Sequence, residues 1–143
     1  MTERTVGQSL SRSEILRIGP EASVGEAARL MTEHACGCVL VMADDRLLGI
    51  FTERDALRQV LAADRPPSTP VSEVMVADPD TVDAATPVAE ALRMMDEFHY
   101  WHLPVLKDGA VIGVVSLRDL PFGAAAGIAG ELEQRHELAE RMW

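Results

Sequence analysis

The 143-residue chain contains an internal repeat with an offset of 64 positions. Residues 18–55 align with residues 82–119 without a gap, and matching positions carry the same chemistry. The stretch VGEAARLMTE at 24–33, for example, matches VAEALRMMDE at 88–97. A chain with two such copies is expected to fold as two similar halves, because each copy encodes the same supersecondary unit.

Each copy is predicted to contain a helix, two strands and a second helix. In the helix at 24–33 apolar residues recur three and four positions apart, which is typical of an amphipathic helix. Ser23 and Thr86 stand where the two first helices would begin, so we expect them to be the capping residues. Two short apolar runs follow each helix, and Asp108-Gly109 between the second pair has the composition of a two-residue hairpin turn.

The predicted fold class is α/β (α+β), with two βαββα repeats packed in pseudo-twofold fashion and a C-terminal helix. One copy of about 60 residues buries too little apolar surface to be stable alone, so the copies should form one compact module. The expected boundaries are residues 1–63 for the first repeat with its lead-in, 64–70 for a linker, 71–122 for the second repeat and 123–143 for a helical tail.

Each copy ends its second apolar run with a hydroxyl residue, followed by arginine and aspartate. The two stretches are GIFTERD at 49–55 and GVVSLRD at 113–119. The simplest interpretation is helix capping, since a Ser or Thr followed three residues later by an acid can form a capping box. A hydroxyl and an arginine beside a helix start can also hold phosphate, while aspartate can accept hydrogen bonds from ribose hydroxyls. Both interpretations remain open from the residues alone.

The duplicated pattern G-h-h-[ST]-x-x-D, where h is apolar, occurs with a V-x-E-A helix and an H-L-P-V strand. This combination resembles a tandem pair of CBS domains, named after cystathionine β-synthase, over roughly residues 6–122. The resemblance implies two clefts that hold adenosyl ligands such as AMP, ADP, ATP or S-adenosylmethionine. It also implies a regulatory role rather than a catalytic one, and no required cofactor.

Four of the expected ligand contacts lie at the ends of the second strands. By the resemblance, Asp55 and Asp119 would hold ribose hydroxyls. Thr52 and Ser116 would help to bind phosphate or ribose at the two cleft mouths. The alternative is a purely structural role, in which these side chains only cap the helices that follow.

Five further residues complete the expected sites. Arg54 and Arg118 are the expected phosphate partners within the two motifs. Ile18 and Val82 occupy positions where the family lines the base pocket with apolar side chains and backbone groups. His102 precedes L-P-V, where the family often carries a basic residue that faces the cleft, although a partly exposed strand histidine is an equal alternative.

The net charge of −10 argues against a nucleic acid or an anionic membrane as a partner. No segment approaches the roughly 18 apolar residues of a membrane span, and two cysteines are too few for a secreted disulfide framework. We therefore expect a cytoplasmic protein. The acidic surface also opposes multiply charged nucleotides, so ATP would be expected to bind together with Mg²⁺.

Three other functions are compatible with parts of the sequence. His34, Cys36 and Cys38 could serve a metal or thiol switch, but no second cluster completes a four-ligand site. An enzyme is disfavoured because no nucleophile with a base and no Gly-rich phosphate loop are present. A ligand-free assembly module stays open. We expect a homodimer that acts in trans on an unidentified effector protein.

Overall fold

The computed structural model describes residues 4–10 and 15–116. These residues divide into two compact units. Residues 15–79 form the first unit, and residues 4–10 together with 80–116 form the second unit. The helix predicted after Ser116 and the predicted tail helix at 123–143 lie outside the described residues.

The first unit contains the elements β1 (Arg17–Ile18), α1 (Val24–Glu33), β2 (Cys38–Ala43), β3 (Arg46–Thr52), α2 (Glu53–Asp55) and β4 (Val76–Ala77). Its strands form a four-stranded sheet with the order β1-β2-β3-β4. β1 runs parallel to β2, whereas β2 with β3 and β3 with β4 are antiparallel. The three-residue helix α2 continues directly into a π-helical segment at Ala56–Leu61.

The second unit repeats this order with β5 (Val82–Asp83), α3 (Val88–Phe98), β6 (His102–Lys107) and β7 (Ala110–Ser116). Its strands form a three-stranded sheet with the order β5-β6-β7. β5 is parallel to β6, and β6 is antiparallel to β7. The ladder irregularity between Val41 and Met42 recurs between Val105 and Leu106, 64 positions later. The predicted α/β fold class and the duplicated strand-helix-strand-strand order are therefore confirmed.

The hairpin predicted at Asp108-Gly109 is present. Both residues have positive φ, 51° and 80°, which is the conformation that a two-residue turn between antiparallel strands requires. In the turn of the first unit Asp44 has a positive φ of 54°, whereas Asp45 does not have a positive φ. The two hairpins therefore have the same length but differ in backbone conformation at the second turn residue.

The cores form where the apolar face of each long helix covers its sheet. In the first unit Val24, Ala27 and Met31 of α1 pack with Val39 and Phe51 of the strands. The second unit uses the matching residues of α3, β6 and β7. The hydrophobic periodicity of the two helices thus predicted their buried faces correctly.

The helix starts differ between the units. Ser23 caps α1 as expected, since its Oγ accepts a hydrogen bond from the Glu26 backbone N at 3.1 Å. The prediction for Thr86 is wrong: Pro87 is the N-cap of α3, and no side chain caps that helix. A backbone group takes this role, because the Val88 N donates to the carbonyl oxygen of Arg4 at 2.9 Å.

The lead-in segments are exchanged between the repeats. The lead-in of the first repeat, residues 4–10, packs in the second unit, where Val6 is fully buried. The lead-in of the second repeat, residues 69–77, packs in the first unit, where Val71 is fully buried. Each compact unit therefore combines the body of one repeat with the lead-in of the other.

The glycine of each repeated motif makes room for an exchanged lead-in. A Cβ on Gly49 would lie 2.5 Å from Sδ of Met75 and 2.8 Å from the carbonyl oxygen of Val76. A Cβ on Gly113 would lie 3.0 Å from Cδ1 of Leu10. The motif glycines are thus explained by close approach of a neighbouring segment rather than by a turn.

Candidate functional site

A reciprocal capping box closes the corner between β3 and α2. The Asp55 backbone N donates to Thr52 Oγ1 at 3.2 Å, and the Thr52 backbone N donates to Asp55 Oδ2 at 3.0 Å. The Thr52 hydroxyl also donates to Asp55 Oδ2 at 3.0 Å. The capping interpretation is therefore confirmed for the first repeat, and the two side chains hold each other in place.

The Asp55 carboxylate nevertheless has one oxygen left for another partner. Both hydrogen bonds from Thr52 end on Oδ2, and Oδ1 accepts none from the described residues. Asp55 is half-buried, and this burial raises the pKa of its carboxyl. The hydrogen bonds from Thr52 and the charges of Arg54 and Arg58 act in the opposite direction. The fixed Oδ1 has lone pairs suited to ligand hydroxyls.

The backbone at this corner offers few donors for a phosphate. The Glu53 N donates to the carbonyl oxygen of Gly37 at 3.0 Å, and the Asp55 N is bonded to Thr52. The Thr52 hydroxyl proton is directed to Asp55 as well. An anion here would therefore depend more on arginine side chains than on the helix amides.

Arg58 is the cation near this corner that the sequence reasoning missed. It follows Arg54 by four residues and Asp55 by three, the spacings at which helical side chains are neighbours. Its charge acts on both residues. The spacing was visible in the sequence, but Arg58 lies outside the motif that defined the expected site.

The antiparallel registers pair two sets of the expected residues. Thr52 lies directly opposite Cys38 across β2 and β3, and Ser116 lies directly opposite His102 across β6 and β7. Directly opposed residues project from the same face of a sheet and stand about 5 Å apart. His102 and Ser116 are thus brought together, while the thiol of Cys38 occupies the corresponding position beside Thr52.

Ile18 and Val82 lie farther from these corners. Ile18 pairs with Val41, three residues along β2 from Cys38, which is about 10 Å at the usual strand rise. Its side chain packs against the core of the first unit. Val82 is only 5% exposed and belongs to the core of the second unit. The Val82 side chain is therefore taken up by the core, whereas part of the Ile18 side chain remains exposed.

The family model for the CBS domain matches residues 6–62 and again residues 71–120. Both matches coincide with the repeats whose strands, helices and corners correspond at an offset of 64. The chain belongs to the CBS domain family. Its two matched segments make it a tandem CBS pair.

Several known proteins are similar to this CBS pair. The CBS domain-containing protein CBSCBSPB1 of Arabidopsis thaliana is 34% identical over 139 residues, covering 92% of this chain and 25% of that protein. The crystal structure of the CBS domain NE2398 is 36% identical and has a TM-score of 0.77, covering 82% of this chain and 94% of that one.

A third similar protein is the CBS domain protein PAE2072 of Pyrobaculum aerophilum, which was solved in complex with AMP. It is 25% identical with a TM-score of 0.77, covering 91% of this chain and 98% of that one. The CBS pair spans about a quarter of the length of the first Arabidopsis relatives that it matches.

Two residues expected at the second CBS corner, Arg118 and Asp119, lie outside the described residues. Within 4–10 and 15–116, no group of three His, Cys, Asp or Glu side chains is placed to hold a metal ion. Cys36 Sγ instead donates to the carbonyl oxygen of Cys38 at 3.5 Å. The described part of the CBS pair also contains no helix with the length and apolarity to cross a membrane.

Proposed function

We propose that this CBS pair is a regulatory module that binds an adenosyl ligand, namely AMP, ADP, ATP or S-adenosylmethionine. The observation that carries the proposal is the carboxylate of Asp55, which is fixed through Oδ2 and offers Oδ1. The 2′ and 3′ hydroxyls of a ribose are adjacent donors, and one carboxylate oxygen with two lone pairs can accept from both. The AMP complex of the similar protein PAE2072 supports the same ligand class.

The second repeat is proposed to bind in the same way. Asp119 would accept the ribose hydroxyls, and Ser116 with His102 would stand beside the phosphate or ribose, because these two strand positions are directly opposed. Arg54 and Arg118 would supply charge for phosphate. Val82 would contribute backbone groups to the base, since its side chain is packed in the core, and Ile18 would contribute its backbone and the exposed part of its side chain.

Isothermal titration calorimetry with AMP, ADP, ATP and S-adenosylmethionine tests the proposal. The sharpest variant is Asp55→Asn, because asparagine can keep the oxygen that accepts from Thr52 while placing an amide donor where Oδ1 stood. We expect at least a tenfold loss of affinity at the first site, since a hydrogen bond to a charged group is removed. Asp45→Asn in the β2–β3 turn removes the same charge and should leave binding unchanged.

Binding of none of these ligands by folded protein would contradict the proposal. Equal affinity of the wild type and the Asp55→Asn variant at both sites would contradict the role of Asp55 while leaving the ligand class intact. Adding Mg²⁺ should improve binding of ATP more than binding of AMP, because the chain has a net charge of −10.

We propose further that the bound state is passed to a separate effector protein and that the module itself catalyses no reaction. Ligand binding can shift a partner only through a difference in affinity between two conformations. The cytoplasmic location expected from the sequence remains a prediction. Fractionation of the source cells would test it.

A second candidate function, assembly, is favoured by an apolar helical face on the first unit. Leu57 and Leu61 are 42% and 70% exposed. The same unit has a cavity of about 280 Å³ lined largely by small and apolar residues, among them Ala28, Ala35 and Ala56. Two exposed leucines four residues apart suit pairing with a second copy, so we propose a homodimer through the face that carries Leu57 and Leu61.

Sedimentation of wild type and of the Leu61→Glu variant tests the dimer. We expect the wild type to be dimeric at micromolar concentration and the variant to dissociate, because a buried carboxylate would lie in the interface. The matched control is Gln59→Glu, because Gln59 is exposed on the same helical segment and the variant adds the same charge. This variant should remain dimeric. A monomeric wild type would contradict the assembly function.

A further inference from the structure

The helical segment that follows the first CBS corner is wound more widely than an α-helix. The Ala62 N donates to the carbonyl oxygen of Leu57 at 2.9 Å, and the Arg65 N donates to that of Val60 at 2.9 Å. Both bonds join residues five apart, whereas an α-helix joins residues four apart. The π-helical segment Ala56–Leu61 therefore holds one residue more in its turn than an α-helix would.

The residue types of this segment do not favour such winding. ALRQVL is composed of alanine, leucine, arginine and glutamine, which are strong α-helix formers, with valine as the weaker member. The sequence therefore predicts an ordinary α-helix at this place. Because local preference and observed structure disagree, the π-turn must be maintained by the interactions that hold the two ends of the segment.

Both ends of the π-helical segment are held. At its start, Asp55 is fixed by three hydrogen bonds with Thr52, which use the Asp55 N and Oδ2. The Ala56 N then donates to the carbonyl oxygen of Glu53, only three residues back, so a tight turn precedes the wide one. Near its end, Val60 is 7% exposed and belongs to the core of the first unit.

An α-turn in this segment would move one end relative to the other. Removing one residue from the turn rotates the residues on one side by about 100° and shifts them by about 1.5 Å relative to those on the other. Val60 lies in the core, so the half-buried Asp55 is the end that can move. Its hydrogen bonds with Thr52 would then break. The capping box and the π-turn are therefore formed together.

The two exposed leucines lie on opposite sides of this movement. Leu57 follows Asp55 by two residues, and Leu61 follows Val60 directly. A change from the π-turn to an α-turn would move Leu57 with Asp55, while Leu61 would stay with Val60. The relative position of the two leucine side chains, which are 42% and 70% exposed, thus depends on whether Asp55 is held in the corner.

We propose that Ala56–Leu61 is a register switch, in which the π-turn reports that the first CBS corner is occupied. A ligand shifts an equilibrium only through its different affinity for the two states. Oδ1 of Asp55 supplies this difference, because it is fixed in the corner only while the π-turn exists. Loss of the ligand favours the α-turn and changes the spacing of Leu57 and Leu61. This inference rests on the proposed adenosyl-binding function for its ligand.

The first test compares two single-residue deletions in the full chain. Gln59 is exposed within the segment, so its deletion lets an α-turn join both fixed ends. Arg29 is equally exposed in α1, but its deletion rotates Ala27 by about 100° relative to Met31, and both residues are buried. We expect deletion of Gln59 to leave the urea midpoint at or above that of wild type. Deletion of Arg29 should lower the midpoint by about 1 M or more, or abolish cooperative unfolding. Equal destabilisation by the two deletions would overturn the switch, because no extra residue would be stored.

The second test measures amide hydrogen exchange in residues 56–62 with and without saturating AMP. In the wild type AMP should slow this exchange about fivefold or more, because it holds one register. The protein without Gln59 should still bind AMP in calorimetry, but AMP should change its exchange by less than about twofold, since a single register is left.

Equal effects of AMP on exchange in the two proteins would overturn the switch while the adenosyl-binding function stands. If AMP fails to bind the wild type, ligand control of the segment is refuted together with AMP as the ligand. The two deletions would still decide the π register in that case, because their comparison uses no ligand.

Discussion

The hydroxyl of Thr52 is predicted to stabilise the folded chain mainly through its bond to the ionised carboxylate of Asp55. Thr52→Val is the informative change, because valine keeps the γ-methyl group and the branched shape while removing both hydroxyl interactions. Thr52→Ser is the matched control, since it keeps the hydroxyl. The Thr52 backbone N still donates to Asp55 Oδ2 in both variants.

The magnitude follows from the two interactions that valine removes. Losing the oxygen that accepts from the Asp55 N at 3.2 Å costs about 1 kcal/mol, the usual value for an N-cap. Losing the donor to Oδ2 at 3.0 Å costs about 1.5 kcal/mol when the carboxylate is charged. Asp55 is half-buried, so water recovers part of the second loss. We expect about 2 kcal/mol in total.

The assay is urea unfolding followed by circular dichroism at neutral and at acidic pH, with the m-value checked for equality among variants. At acidic pH the protonated carboxyl accepts a weaker hydrogen bond, so the cost of Thr52→Val should fall to about 1 kcal/mol. Thr52→Ser should stay within about 0.5 kcal/mol of wild type. A cost that is equal at both pH values would refute the assignment to the ionised carboxylate.

Three further predictions concern stability. Gly49→Ala should lower the free energy of urea unfolding by about 2 kcal/mol, because the added Cβ meets the carbonyl oxygen of Val76. Gly113→Ala should lower it by about half as much, because the added Cβ meets only the flexible end of Leu10. Equal losses for the two variants would count against this account. Because burial raises the pKa of Asp55, the folded state holds its proton more tightly than the unfolded chain, so the free energy of unfolding falls as pH rises from the ordinary value of 3.8 through the folded pKa. In urea titrations Asp55→Asn should lack this fall, and an identical pH profile would show that the carboxyl is not perturbed. Val6→Ala and Val71→Ala should each lower the free energy of unfolding by about 2 kcal/mol. Because each lead-in packs against the helix of the other repeat, Val6→Ala should speed amide hydrogen exchange in α3, and Val71→Ala should speed it in α1. Faster amide exchange in α1 alone for Val6→Ala would contradict the swapped position of the lead-ins.

The local features of the fold could be predicted because they depend on short-range sequence patterns. The apolar spacing of α1 fixes which face is buried, and Ser23 caps it within one helical turn. Asp108 and Gly109 adopt the positive φ angles that their residue types allow at low cost. The capping box of Thr52 with Asp55 is likewise formed within four residues.

The lead-in exchange could not be predicted because its partners are distant in sequence. The Val88 N finds the carbonyl oxygen of Arg4, so Thr86 is not needed as a cap. The Val24 N bonds in the same way to the carbonyl oxygen of Thr69 at 2.9 Å. A backbone carbonyl carries no residue-type signal, since every residue has one.

A second long-range difference separates the two repeats at their first strands. In the first repeat the Leu40 N donates to the carbonyl oxygen of Leu16 at 2.9 Å. The matching residue of the second repeat is Pro104, which has no N–H to donate. There the hydroxyl of Tyr100 donates to the carboxylate of Asp80, the residue that corresponds to Leu16. A side-chain bond thus ties the start of β5 where a backbone bond ties the start of β1.

This contrast shows how the duplicated fold can support two different sites. Strand register and buried helix faces correspond at an offset of 64, because a change in either of them would disturb packing. The residues at the corners differ between the repeats, and Cys38 with Arg58 in one repeat corresponds to His102 with Phe122 in the other. Under the proposed function, these side chains would change ligand affinity without changing the fold. We therefore expect the two corners to differ in their affinity for an adenosyl ligand, and equal affinities at both corners would contradict this reasoning.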